Sequence, residues 1–282
     1  MTRFSKITES LLAVAAVVVL ASAVQACTVK EDRMPCPCYL DIDYSGVLAA
    51  KYYGKQPGIV EASLFVPAGE VNYTAFRLSE CPTLHENVVE RSMARVVGVV
   101  HNQPLKEFLG HGSKMTWARG NEIDSVYVHA TDVDCTDEEA YCLLEPHKQF
   151  HTIFLTDEFQ GAALREYNLV VVGSTCGFDA AEPNFEAIEG AYLYTIQEYD
   201  RDGGISVRVP RQLYDDLRLE FWTKDDYRKV FTAPLGQYMK ATGYDKEALD
   251  LVDFEIKINF REAQVFVRVA DWDDELMFVL YD

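Results

Sequence analysis

The chain has 282 residues, of which 49% are hydrophobic and 12% aromatic. This composition excludes a disordered chain, and the length allows one large packed domain or two ordinary ones. The net charge of −19 at pH 7 would repel phosphate backbones, and no basic patch with interleaved aromatic residues is present. Both observations argue against nucleic-acid binding.

The start of the chain has the features of a bacterial signal peptide that ends at a lipid-modified cysteine. Arg3 and Lys6 precede an apolar stretch at residues 11–24, which is shorter than the roughly 20 residues that a membrane-spanning helix needs. Ala26, a small residue, stands directly before Cys27. We expect cleavage after Ala26 and lipid attachment at Cys27, which would tether an exported protein to a membrane. The alternative is ordinary secretion with a free Cys27.

The residues after Cys27 are charged. Lys30 is followed by Glu31 and Asp32, which resembles the surface-export signal of lipoproteins in the Bacteroidota. The segment therefore predicts exposure on the outer face of the outer membrane. A polar tether kept in water is the alternative interpretation.

Seven cysteines are present, and lipid attachment at Cys27 leaves six. An even number in an exported chain favours disulfides, but six cysteines allow about 15 pairings, so the pairing stays open. Cys135 and Cys142 are close enough in sequence to close a short loop. Cys36-Pro37-Cys38 lacks the second spaced pair of a zinc site, so disulfide or free thiol is favoured over metal. The candidates for disulfides are Cys36, Cys38, Cys81, Cys135, Cys142 and Cys176.

The first part of the mature chain is patterned as short strands. Alternation of apolar and polar residues, or short apolar runs, predicts strands at residues 39–44, 60–66, 71–78, 93–101, 125–130, 149–155 and 167–172. Residues 82–91 predict a short helix. Residues 178–190 contain Pro183 and several acids without a clear period, which predicts a domain boundary near residue 182.

The strand pattern resumes after this segment. Strands are predicted at residues 191–199, 204–209, 216–223, 251–260, 264–269 and 276–280. Asp200-Arg201-Asp202-Gly203 predicts a hairpin turn, and residues 235–242 predict a short helix ended by Gly243. Many short strands with few helices indicate an all-β fold of two β-sandwich domains in tandem. The predicted organisation is a signal peptide (1–26), a lipid-tethered linker (27–35), an N-terminal sandwich (36–182) and a C-terminal sandwich (183–282).

The common motifs of catalysis and metal binding are incomplete in this sequence. Thr175 occupies the centre of Gly173–Gly177 where a serine hydrolase needs serine, and His85-Glu86 lacks the second histidine of a zinc protease. The acidic segment 132–139 resembles a calcium loop but has Asp137 at the position that requires glycine, so a solvated acidic loop is favoured. We expect no enzyme activity, no metal and no cofactor, with a hydrolase as the remaining alternative.

Three segments resemble a known family. Residues 32–37, which follow the lipoprotein cysteine, resemble the opening of FimB-type minor fimbrial anchor subunits of the Bacteroidota. Arg208-Val209-Pro210-Arg211-Gln212 resembles a segment early in the second domain of those subunits, and residues 167–177 are similar to the last strand of their first domain. The resemblance implies two transthyretin-like β-sandwich domains.

The same resemblance implies a function. The chain would be the lipid-tethered base of a fimbria, bound to pilin subunits by strand exchange and contributing to assembly and length control. Its partners would be pilin subunits and, through Cys27, the outer membrane. Only Cys27 carries over as a functional residue, and a bend between strands is favoured over a binding role for Pro210 and Arg211.

Two alternatives keep the surface location but change the role. The chain would be a fimbrial tip adhesin, or a surface lipoprotein that captures glycan or peptide. Tyr52, Tyr53 and Trp117 are candidates for stacking on sugars. Packing in the core is the alternative use of each of these three aromatic side chains.

Overall fold

The computed structural model describes residues 36–53, 56–67, 69–102, 110–117, 119–159, 162–179, 186–196, 204–212, 214–270 and 272–279. The predicted signal peptide, Cys27 and the predicted linker lie outside the described residues. More than half of the described residues lie in β-strands and only two short α-helices accompany them, so the fold is all-β, as the sequence predicts.

Strands β1 to β9 are, in chain order, Cys38–Asp43, Ile59–Val66, Gly69–Arg77, Leu84–Val89, Met93–His101, Gly110–Thr116, Tyr127–Asp134, Glu139–Leu143 and His147–Lys148. Strands β10 to β18 are Phe150–Asp157, Tyr167–Asp179, Glu186–Thr195, Ile205–Pro210, Arg218–Thr223, Lys229–Ala233, Phe254–Asn259, Gln264–Val269 and Glu275–Val279. Two short α-helices are described, α1 (Ser45–Ala49) and α2 (Leu235–Ala241).

The first sandwich, residues 38–148, is built from two sheets. Its smaller sheet has the order β4-β1-β8, in which β1 pairs antiparallel with β4 and parallel with β8. The facing sheet has the order β3-β2-β5-β7-β9. Strand β1 alternates strictly, with Leu40 and Ile42 fully buried between the sheets. Tyr44 closes this core edge-on against Phe76 of the facing sheet, with ring centroids 5.6 Å apart.

The second sandwich, residues 150–279, has the sheet β13-β10-β16-β17-β18, in which β10 and β16 are parallel. The facing sheet has the order β12-β11-β14-β15, and β6 also pairs with β11. Tyr167 and Phe221 of the facing sheet pack on Phe260, each with ring centroids 6.0 Å apart. Gly177 is needed where β6 joins, because a Cβ there would lie 2.1 Å from the Met115 carbonyl oxygen.

The two sandwiches repeat one strand plan. When β6, which pairs with β11, is left out of the count, the first strand of each sandwich pairs antiparallel with the fourth strand and parallel with the seventh. These pairs are β1 with β4 and β8, and β10 with β13 and β16. The facing sheets correspond strand by strand, β3-β2-β5-β7 to β12-β11-β14-β15. The second sandwich then adds β17 and β18 beside β16. Its sheet therefore has five strands where the first sandwich has three.

The junction between the sandwiches buries both an aromatic contact and an ion pair. Phe150 packs edge-on against Tyr127, with ring centroids 5.6 Å apart. The Lys148 ammonium, buried at this junction, forms an ion pair with Asp253, and the Lys148 backbone N–H donates to Asp250 at 2.7 Å. Burial lowers the pKa of Lys148, and the hydrogen bond to Asp253 opposes that shift.

Three sequence predictions need correction. The boundary expected near residue 182 lies between β11 and β12, which pair with each other from Val170–Thr195 to Asp179–Glu186. The boundary between the two sandwiches lies instead after Lys148, because β9 pairs with β7 of the first sandwich, whereas β10 pairs with β13 and β16 of the second. The helix predicted at residues 82–91 is wrong, since this segment contains strand β4.

The third correction concerns the hairpin predicted across residues 200–203. The turn itself lies outside the described residues, but the flanking strands β12 and β13 belong to different sheets, so they do not form a hairpin. The predicted helix at 235–242 is confirmed by α2, and Gly243 has φ of 78° at its end.

Candidate functional site: an acidic sheet face and a strand edge

The structure describes six of the seven cysteines that were predicted as site residues. Cys27 lies outside the described residues, so its lipid attachment stays a prediction. The other six cysteines are free thiols in this structure: Cys38, Cys135 and Cys142 are buried, Cys81 and Cys176 are half-buried, and Cys36 is exposed. Neither helix in the described part of the chain is long and apolar enough to cross a bilayer.

The outer surface of sheet β4-β1-β8 carries two exposed tyrosines among carboxylates. We call this surface, formed by Tyr39, Asp41, Glu86, Glu139 and Tyr141, the acid–tyrosine face. It arises because alternate residues of β1 point away from the core, and cross-strand partners in β4 and β8 do the same. The tyrosines are 46% and 57% exposed, and the residues line a shallow depression of about 460 Å³.

Charge is concentrated on this face. Glu86 stands directly opposite Asp41 across the β1–β4 pair, an arrangement of like charges that is unfavourable in a sheet. Tyr141 donates a hydrogen bond of 2.5 Å to Asp43, and the Ser45 backbone N–H donates to the same carboxylate at 2.7 Å. Together these bonds lower the pKa of Asp43, and the first raises the pKa of Tyr141.

The arrangement suits recognition better than catalysis. Exposed tyrosine rings offer flat apolar surfaces, and carboxylates accept hydrogen bonds from hydroxyl or ammonium groups. Among the described residues no group of three or more histidine, cysteine, aspartate or glutamate side chains is arranged to hold a metal ion. In the acidic segment 132–139, the Asp134 carboxylate accepts hydrogen bonds from the Thr136 N–H and hydroxyl at 3.0 and 2.7 Å.

The free side of β8 is the second feature of this region, and we call it the β8 edge. Within the described residues β8 pairs with β1 on one side only, whereas its counterpart β16 is covered by β17. An uncovered strand presents backbone N–H and C=O groups that can pair with another chain. Glu139 and Tyr141 of the acid–tyrosine face lie on this strand.

The three aromatic residues proposed for sugar stacking are mostly used inside the protein. Trp117 is only 8% exposed and packs against Phe178. Tyr52 is half-buried, donates to the Val47 carbonyl at 2.7 Å and packs edge-on against the Tyr127 ring. Tyr53 is exposed, with the Lys148 ammonium over its ring at 5.3 Å.

The arginines of the 208–212 segment have structural roles. The Arg211 guanidinium donates to Gln149 Oε1 at 2.9 Å and to the carbonyls of Lys246, Ala248 and Leu249 at 2.6, 2.7 and 3.2 Å. Arg208 Nε bonds Glu122 Oε1 at 3.3 Å. These contacts hold loops and strands together, in keeping with the structural role favoured for Arg211.

Sequence reasoning missed the acid–tyrosine face. The alternation of Tyr39-Leu40-Asp41 signals an acidic outer surface on β1. The contributions of Glu86 and Tyr141 come from strands distant in sequence, and Glu86 lies in the segment predicted as helix. Only the pairing of β1 with both β4 and β8 brings these residues together.

No protein-family model matches the chain, and no curated protein matches it by sequence. Solved structures match over most of its length. A Bacteroides thetaiotaomicron protein named as a candidate polysaccharide-binding protein (DUF1812) has a TM-score of 0.60 at 13% identity, covering 87% of this chain and 99% of its own. A candidate adhesin from the same species has a TM-score of 0.57 at 12% identity, covering 89% and 100%.

The fimbrial anchor protein Mfa2 of Porphyromonas gingivalis has a TM-score of 0.55 at 10% identity, covering 87% of this chain and 100% of its own. At these identities the likeness concerns the fold. The chain therefore has the fold of fimbrial and adhesin proteins of the Bacteroidota.

Proposed function

We propose that this chain is a non-enzymatic outer-membrane lipoprotein that anchors a surface fimbria to the cell. Lipid on Cys27 holds it in the membrane, and residues 28–35 form the tether to the first sandwich. The observation that carries the proposal is the fold shared with a fimbrial anchor protein over nearly the full length of both chains. The lipoprotein pattern that ends at Cys27 supports it independently.

The β8 edge is where a pilin subunit would attach. A strand of the partner would pair with β8, in the position that β17 takes beside β16 in the second sandwich. The partner strand would lie beside Glu139 and the acid–tyrosine face, so basic residues on that strand would be favoured. Pairing of this kind is the strand exchange that the family resemblance implies, and it would also serve assembly and length control.

The anchor role is tested in cells that carry Cys27→Ala. Long fimbriae released into the medium would support it, with Cys36→Ala as a control that leaves the lipid site intact. Fimbriae that stay attached to Cys27→Ala cells, or a strain without fimbriae, would contradict it.

The attachment site is tested by photocrosslinking on intact cells. A photoreactive amino acid in place of Tyr141 should crosslink to the pilin, because Tyr141 lies on β8. The matched control is the same amino acid in place of Tyr227, which is 71% exposed between β14 and β15. Equal crosslinking at both positions, or none at Tyr141, would reject the β8 edge as the attachment site.

A second candidate is an adhesin or glycan-binding lipoprotein, favoured by the tyrosines and carboxylates of the acid–tyrosine face. It predicts glycan binding by the full chain that Tyr39→Ala weakens and Tyr227→Ala leaves unchanged. An adhesin at the fimbrial tip would be found at distal fimbrial ends, whereas an anchor would fractionate with the outer membrane.

A further inference from the structure

Two buried cysteines of the first sandwich face each other from opposite sheets. Cys38 begins β1 and Cys135 directly follows β7, and both are fully buried. The alternation of each strand points both side chains into the core, because Leu40 and Val133 on the same faces are also buried. Burial and the neighbouring Cys38 thiol together raise the pKa of Cys135 to about 12.

The backbone around this pair fixes its position. Cys38 stands opposite Val89 in the β1–β4 pair, and the Cys135 N–H donates to the Ser92 carbonyl at 3.1 Å. The two cysteines therefore lie at the two ends of the short connection between β4 and β5. The Tyr39 N–H also donates to the Glu138 carbonyl at 2.8 Å, which holds the residues after Cys135 against β1.

The other cysteines are placed less well to pair with Cys38. Cys142 stands opposite Ile42, four residues along β1, a distance of roughly 13 Å. The Cys81 thiol lies 3.6 Å from the Pro82 carbonyl and the Cys176 thiol lies 3.7 Å from the Ile188 carbonyl. Cys36 is exposed, whereas Cys38 faces the core.

We propose that Cys38 and Cys135 form a disulfide that links the two sheets of the first sandwich. The inference rests on the export that the proposed function requires, since disulfides persist in oxidising compartments. The strands aim both side chains into the same core from opposite sheets, and the bond closes when the two sulfur atoms reach an S–S distance of about 2.0 Å.

The bond forms by thiol–disulfide exchange during folding, before the core closes. One cysteine, as thiolate, attacks a disulfide of an external oxidant, either a protein thiol oxidase or oxidised glutathione. The second cysteine displaces the oxidant's sulfur from the mixed disulfide. The two cysteines lose two electrons and two protons, and the oxidant leaves as two thiols.

The test uses the full chain isolated from the cell envelope, denatured with an alkylating agent and no reductant, then digested and analysed by mass spectrometry. The expected product is one linked peptide pair containing Cys38 and Cys135, with Cys81 and Cys176 alkylated. The N-terminal peptide is read in the same sample, so that processing at Cys27 is scored separately from the disulfide.

Stability provides the second readout. Cys38→Ala and Cys135→Ala should each lower Tm by roughly 10 °C under oxidising conditions, and the double variant should be no worse than either single one. Reductant should bring the wild type down to the same Tm, and Cys176→Ala serves as the matched control. Full alkylation of Cys38 in processed protein, or a link from Cys135 to Cys142, would overturn the proposal.

If the protein proves not to be exported, the purified full chain is refolded with oxidised and reduced glutathione. Formation of the Cys38–Cys135 link there would support the geometry while the export part of the proposed function fails. Absence of the link would overturn the disulfide itself.

Discussion

The two sandwiches share one strand plan but differ in what lies beside its last strand. In the second sandwich β16 is covered by β17 and then β18, so its backbone groups are paired. In the first sandwich β8 has no described strand on that side, and the outer surface next to it is acidic. The same strand plan thus leaves its seventh strand paired on both sides in the second sandwich and, among the described residues, on one side only in the first, where we propose that a partner strand pairs.

The first prediction compares the loss of one fully buried side chain from the equivalent central strand of each sandwich. Leu40 of β1 and Ile153 of β10 are both fully buried in equivalent strands. Leu40→Ala and Ile153→Ala should each lower the free energy of unfolding by about 4 kcal/mol. Because the junction at Phe150 is buried, we expect both variants to shift one common transition in chemical denaturation.

Val88→Ala is the matched control, since Val88 is exposed on β4. Two separate transitions, each shifted by only one of the core variants, would contradict the common transition. That outcome would show that the sandwiches fold as independent domains.

The second sandwich should carry a specific sensitivity to acid. His151 is fully buried beside the Val252 carbonyl, at 2.7 Å, and burial lowers its pKa to about 4. The unfolded chain binds a proton near pH 6.5 and the folded chain only near pH 4, so stability falls as pH drops through this window. The loss reaches roughly 3 kcal/mol at most.

His151→Gln should flatten the dependence of unfolding free energy on pH between 6.5 and 4. His147→Gln, at a more exposed site of the junction, is the control for the loss of a histidine side chain. An unchanged slope in His151→Gln would assign the acid sensitivity to other groups.

Hydrogen bonds from Arg211, which we call the Arg211 clamp, join Gln149 at the start of β10 to the loop before β16. Arg211→Lys keeps the charge but loses the planar fork that reaches Gln149 and three carbonyls, so we expect a loss of about 2 kcal/mol. Denaturation midpoints measure it, and Arg228→Lys at an exposed position is the control. Equal midpoints for the two variants would mean that the clamp adds no stability.

The smallest effect is expected on the acid–tyrosine face. Tyr141→Phe removes the hydrogen bond to Asp43, so the pKa of Asp43 should rise toward its ordinary value while Tm stays that of the wild type. An NMR titration of Asp43 measures the shift, with Tyr39→Phe as the control. An unchanged Asp43 titration would show that the bond is not formed in solution.

The sequence predicts the strands well because each carries its own alternation. Strands β5, β13 and β17 lie almost where the apolar pattern places them, and α2 is signalled by its terminal glycine. The segment Leu84–Val89 carries no clear strand signal, because its buried residues, Asn87 and Val89, are outnumbered by exposed ones. It becomes a strand only by pairing with β1.

The sequence does not predict which strands pair with each other. Segment 178–190, with Pro183 and several acids, resembles a linker, but its two ends belong to β11 and β12, which pair with each other. The acid–tyrosine face and the proposed Cys38–Cys135 disulfide both depend on residues about 100 positions apart in the chain. Such contacts follow from topology and leave no local signal.

The parallel pairing of β1 with β8 also bears on when the first sandwich can fold. Strand β1 meets this parallel neighbour only after about 100 further residues, and closing so long a loop makes folding slow. In the export that we propose for this chain, the order of its strands would keep the first sandwich open until its last strand had crossed the membrane.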